Sequence, residues 1–215
     1  VKHNGPLTDV DGTPLGRYAE KGAPPSILSY DRTLNLQLYL HAGVEAQAAA
    51  LADDIAYNSH DMDDGLRAGL YDIEAVENAV PFVGRIVSEV RGKYPDLETN
   101  RLIHETTRRV ITLLVEDAVA ESIRRIDALD PRSADDVRAA AGQVVAFSED
   151  KTSALRDLRG FLFARMYRHH RINSVMADAE DVVARLFAEF IAHPDRMPAE
   201  WAHACEATDQ ARRAR

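Results

Sequence analysis

From about residue 30 onward, apolar residues recur three and four apart along most of the chain, the period of helices with one face turned inward. We therefore expect helices near 30–40, 43–65, 72–92 with a break at Pro81, 98–128, 133–146, 150–169, 172–192 and 198–213. Pro95, Pro131, Pro194 and Pro198 stand at the joints, and Ser133 with Asp136 has the spacing of a capping box with Asp in place of Glu. Residues 1–27 carry Gly5, Pro6, Gly12, Pro14, Gly16, Gly22, Pro24 and Pro25, a density that favours an extended arm over regular structure. No alternating pattern of strand length occurs, so the expected class is all-α.

The same periodicity nominates the core. Val44, Ala48, Leu51 and Ile55 form the inward stripe of the second helix, and Leu102, Val110, Leu113, Leu114 and Val119 that of the long central one. Toward the C-terminus, Phe161, Leu162, Met166 and Tyr167, then Val175, Val182, Leu186, Phe187, Phe190 and Ile191, mark two strongly amphipathic helices whose aromatic residues are expected in the core, with a subunit interface as the alternative. Trp201 is expected to anchor the last helix.

Opposite the stripe of the second helix lies an acidic face. At about 100° per residue, Asp53, Tyr57, Asp61 and Asp64 fall within one sector of roughly 80°. A solvated surface is the ordinary account of such a face, but Gln47, Ala49, Gly65 and Ala68 fill several slots where pairing bases would stand. Carboxylates at this density cost stability unless a cation, a protein base or a ligand offsets them, and a metal or a polar substrate is the obvious candidate. Arg67 is a phosphate partner or an internal counter-charge to Asp63 and Asp64, and His60 is a neighbour of the acidic face or a packed residue behind it, with a plain surface position and a direct metal ligand as the lesser alternatives.

Composition limits the partners. Twenty-six basic and 35 acidic residues give a net charge of -9, which argues against a surface built to recruit nucleic acid. Basic clusters at Arg101, Arg108 and Arg109, at Arg156, Arg159, Arg165, Arg168 and Arg171, and at Arg212, Arg213 and Arg215 read first as solvated faces or partners of the acids. No apolar run reaches the roughly 20 residues of a membrane span, and the single Cys205 rules out an internal disulfide, so a cytoplasmic protein is expected.

The run Ala52-Asp53-Asp54-Ile55-Ala56-Tyr57-Asn58-Ser59-His60-Asp61-Met62-Asp63-Asp64-Gly65, with Lys2-His3-Asn4-Gly5, the segment Arg108 to Asp117 and the segment Leu158 to His169, closely resembles the deoxyguanosine triphosphate triphosphohydrolase-like proteins of the HD phosphohydrolase superfamily. The resemblance implies a multi-helix orthogonal bundle. It further implies an enzyme that cleaves deoxynucleoside triphosphates to deoxynucleoside and tripolyphosphate with a divalent metal, Mg²⁺ or Mn²⁺. Asp53 matches the last metal ligand, Tyr57 and Asp61 match the deoxyribose contacts, and Lys2 and His104 fall where polyphosphate and nucleotide contacts are expected, with an exposed chain end for Lys2 and a hydrogen-bonded core position for His104 as the alternatives. The family's other donors, one His and a His-Asp dyad, have no counterpart here, and His60-Asp61 is not that dyad. The resemblance therefore implies the C-terminal part of a longer, homo-oligomeric enzyme, divided into an arm at 1–27, part of the catalytic domain at 28–130 and a helical region at 131–215. A non-catalytic helical module binding nucleotide or a partner is the alternative, and a structural or nucleic-acid-associated oligomer a weaker third.

Overall fold

Proline sets several helix boundaries. Pro81 occupies the first turn of its helix, where a missing N–H costs nothing, and Val80 before it is extended at φ -123°. The predicted break is thus a junction between two helices. In the computed structural model, which describes residues 1–2 and 5–205 apart from the side chains of 204 and 205, the helices are α1 (Pro25–Leu34), α2 (Val44–Arg67), α3 (Ile73–Ala79), α4 (Pro81–Lys93), α5 (Thr99–Leu129), α6 (Ala134–Arg138), α7 (Glu149–Leu162), α8 (His170–Ala192) and α9 (Ala199–Cys205). Among the described residues no strand occurs beyond one isolated bridge between Thr8 and Pro14, so the protein is all-α. No described helix is long and apolar enough to cross a membrane. His3, Asn4, the predicted helix beyond 205 and the Arg212, Arg213, Arg215 cluster lie outside the described residues.

Three boundaries differ from expectation. The first helix spans 25–34 and not 30–40, because Pro25 starts it and Asn35 ends it in the left-handed region at φ 43°. The capping box at Ser133 and Asp136 forms with both of its hydrogen bonds, yet the helix stops at Arg138, far short of 146. The backbone beyond it is held elsewhere: the buried Gln47 side chain accepts from the N–H groups of Val144 and Val145 at 2.9 and 3.1 Å and donates to the Ala42 carbonyl at 2.8 Å. Ser122 Oγ accepts from Ala146 N–H, and Asp117 accepts from Ser148 N–H. Finally, α7 ends at Leu162 and passes into a π-helical turn, Phe163–Tyr167.

The chain divides into two units, Val1–Leu162 and Phe163–Arg215. In the first, α2 and α5 pack along each other, α4 joins α5, α3 joins α4, and α7 closes on α2 and α3. Met62, Val76, Val83, Ile86, Val87, Val110, Leu114 and Leu158 are its fully buried centre. A Cβ on Gly84 would stand 2.5 Å from the Glu77 carbonyl oxygen, so α3 and α4 approach as closely as they do only because a glycine is there. The described residues of 1–23 have no helix longer than a 3₁₀ turn at Gly16–Tyr18, and they fold back through Leu7, whose N–H donates to the Leu38 carbonyl at 2.8 Å and whose side chain packs with Ala23 and Leu38.

In the second unit, α8 buries none of its residues. Val175, Val182, Leu186 and Phe187, expected in the core, are exposed, and Trp201 is 61% exposed rather than an anchor. Phe161 and Leu162, on the first unit, are buried as expected. On α5, Leu102, Val110 and Leu114 are buried, whereas Leu113 and Val119 are exposed, because the buried line follows Thr106, Thr107, Ala118 and Ser122 instead.

Candidate functional site

Helix α2 begins after Gly43 and runs for 24 residues without proline. Its buried face is Gln47, Ile55, Asn58, Ser59, Met62, Gly65 and Leu66. Of the expected inward stripe, Ile55 is buried as expected and the other three residues are not. Val44, Ala48, Leu51 and Ala52 instead join Val115, Val119, Ile123 and Ile126 of α5 in lining an open apolar groove of about 350 Å³. Asp63 meets Thr107 at 3.4 Å further along, so the two helices run antiparallel.

The acids of α2 sort by partner. Asp54 is paired with Arg159 of α7 at 2.9 Å, and the same guanidinium donates to Asn58 Oδ1 at 3.2 Å while the Asn58 amide donates to the Asp54 carbonyl. Asp63 accepts from Arg67 Nε at 2.5 Å, so Arg67 is the internal counter-charge, which raises its pKa further. Arg159 was visible in the sequence only as a member of a basic cluster; 101 residues separate it from Asn58, and no local pattern announces that bond.

Asp53 remains on the exposed side and makes no ion pair with a described residue. Tyr57, one turn on, has 57% of its surface open. Asp61, two turns on, is half-buried and lies near the Tyr71 phenol, whose pKa is raised by burial and then by Asp61, Asp63 and Asp64. Tyr71 donates to the Met62 carbonyl at 3.1 Å and meets Phe161 edge-on at 4.8 Å. Gly65 makes this possible, since a Cβ there would come within 2.5 Å of the Tyr71 ring. The Tyr71 and Gly65 pair was not among the sequence candidates; the glycine inside a helical pattern was its one signal.

Helix geometry spaces Asp53, Tyr57 and Asp61 by about 6 Å per step along one face. Lys2 and His104 do not join them. Lys2 Nζ donates to the Gln37 carbonyl at 3.0 Å, near the start of α2, and burial and then Arg138 lower its pKa. His104 is exposed and lines a separate hollow of about 420 Å³ with Tyr94, Leu97, Arg101 and Glu105. It lies one turn before Thr107, so it stands near the C-terminal end of α2, roughly 20 Å along the helix from Asp53. The Glu105 carboxyl is pulled down to about 2 by hydrogen bonds from Arg108 and Arg109, which accounts for two of the predicted basic residues. His60 is exposed.

A resident metal needs about three protein donors. Among the described residues no three His, Cys, Asp or Glu side chains converge to hold one. Asp53 is a suitable hard oxygen donor, but it is one donor, so no chemical step is derived through a metal held by these residues alone.

Residues 145–215 match a family model described as a phosphohydrolase-associated domain. The chain is 50% identical over 201 residues to a deoxyguanosinetriphosphate triphosphohydrolase-like protein of Azorhizobium caulinodans, covering 94% of this chain and 50% of that protein. It is 46% identical over 206 residues to a protein of the same name from Parvibaculum lavamentivorans, covering 96% of this chain and 50% of the relative. With the one from Bradyrhizobium diazoefficiens it shares 42% identity over 215 residues, covering all of this chain and 53% of the relative. The chain spans about half the length of these curated relatives.

Proposed function

We propose, from the premise that this chain is similar over nearly all its length to the deoxyguanosinetriphosphate triphosphohydrolase-like proteins, that it forms part of a metal-dependent enzyme hydrolysing deoxynucleoside triphosphates to deoxynucleoside and tripolyphosphate. One observation carries this reading. Of the four acids between 53 and 63, Asp54 and Asp63 are held by arginines, while Asp53 stands exposed, with no ion pair to a described residue, on the same face as the open Tyr57 and the half-buried Asp61.

In this reading Asp53 supplies one oxygen to Mg²⁺ or Mn²⁺, and the remaining donors come from outside the described residues. The metal, when bound, polarises a phosphoryl oxygen. Tyr57 and Asp61, one and two steps further along, hold the sugar by its hydroxyl and its face, so α2 measures the distance from phosphate to deoxyribose. Lys2 and His104, at opposite ends of α2, serve the polyphosphate and the base only if the substrate or a neighbouring segment spans that length. The assembly is taken to be homo-oligomeric.

The intact protein with Mn²⁺ is expected to release tripolyphosphate from dGTP, and Asp53→Ala to abolish turnover and weaken Mn²⁺ binding, read by electron paramagnetic resonance, with unchanged helicity. Turnover retained in the variant overturns the ligand role. Binding of dGTP without any turnover in the unmutated protein favours the second reading, a helical nucleotide-binding module, for which the incomplete donor set among the described residues speaks.

A further inference from the structure

Helix α8 repeats apolar residues three and four apart at Ile172, Val175, Ala179, Val182 and Leu186, with Met176 and Val183 alongside. None is buried, and Val175, Met176, Val182, Val183 and Leu186 are 45–66% exposed. A face of this breadth on a helix of 23 residues is a docking surface. We propose that it docks on α8 of a second copy of this chain, with the two helices antiparallel about a twofold axis between Glu180 and Asp181.

Charge selects both the partner and the direction. The residues bordering the seam on one side are Arg171, Asp178 and Arg185, and those bordering it on the other are Met176, Val183 and Phe190. A parallel pair sets each border against the opposite one, so the charged residues would face apolar ones. An antiparallel pair sets like border against like. Val175 then layers on the second copy's Leu186, Ala179 on its Val182, and Met176 meets its Val183. On the charged border Asp178 falls opposite the second copy's Arg185, and the twofold axis repeats that pair. Within one copy Arg185 bonds Asp181 at 3.0 Å, on the outer side of the charged border.

The area suffices. The open apolar surface of the seam and its apolar border comes to about 600 Å² per copy, roughly 1,200 Å² in total, the lower end of stable interfaces. The proposal gives the self-association taken above a surface and rests on that part of the reading alone, not on the metal or the nucleotide.

The test is sedimentation equilibrium of the intact protein as wild type, Val182→Asp, Arg185→Asp and the swap Asp178→Arg with Arg185→Asp, with circular dichroism as the fold control. Val182→Asp and Arg185→Asp each weaken self-association by about tenfold or more, the first by placing a charge in the seam and the second by opposing two carboxylates. The swap restores it although the Asp181 bond stays broken, which isolates the contact between copies. A monomeric wild type overturns the proposal, as does a swap no better than Arg185→Asp. An oligomer indifferent to both single variants overturns this surface while leaving self-association, and activity that survives all of these changes leaves the enzymatic reading untouched.

Discussion

Helices α2 and α8 are nearly equal in length, at 24 and 23 residues, and α8 has the cleaner apolar stripe, yet α2 buries seven residues and α8 none. Three of the seven on α2 are polar: Gln47, Asn58 and Ser59. Periodicity marks the residues that need a partner. It does not say whether the same chain supplies that partner, nor that a buried position must be apolar. On α2 the neighbours are α5 and α7, and Gln47 and Asn58 go inside because the 139–148 segment and α7 bring groups for them to bond, whereas the Ser59 hydroxyl has no partner among the described residues. On α8 the apolar face stays open, and a second copy is the partner proposed for it.

Matched truncations test the contrast most strongly. Met62→Ala, at a side chain with no exposed surface, is expected to cost about 2–5 kcal/mol in denaturant unfolding. Leu186→Ala, half exposed on α8, should cost less than about 0.5 kcal/mol at protein concentrations dilute enough to keep the chain monomeric. A comparable loss in both would mean that α8 is covered within its own chain, and the comparison would fail.

Gln47→Leu sharpens the polar half of the contrast. It keeps an apolar body in place but strips partners from two backbone N–H groups and one carbonyl, at an expected cost of about 2–4 kcal/mol. Hydrogen exchange at Val144 and Val145 should rise in the variant while α2 stays protected. Unchanged exchange there would show that Gln47 does not hold the segment.

The smallest effect concerns Tyr71. Its phenol ionises less readily in the folded protein than in the unfolded chain, so its contribution is intact below pH about 10 and is lost as pH rises above it. Tyr71→Phe should cost about 0.5–1.5 kcal/mol at neutral pH through the lost bond to Met62 and should flatten the alkaline fall in stability. An equally steep fall in the variant would assign it to other groups.

Much of the architecture was readable from local chemistry. The junction at Pro81, the capping box at Ser133 and Asp136, and the span of α5 follow from terms that act within one turn: a missing N–H, a side chain reaching three residues along, an unbroken run of helix formers. The shared face of Asp53, Tyr57 and Asp61 is of the same kind, since 3.6 residues per turn aligns them whatever surrounds the helix. Three-dimensional packing decided the rest. Which acids are held by arginine, why the helix after Ser133 stops at Arg138, and which apolar stripe lies inside depend on groups up to 101 residues apart along the chain. Such contacts carry no periodicity. They exist because a polar group withdrawn from water must find a partner and an apolar one a neighbour, and only the folded chain brings those within reach.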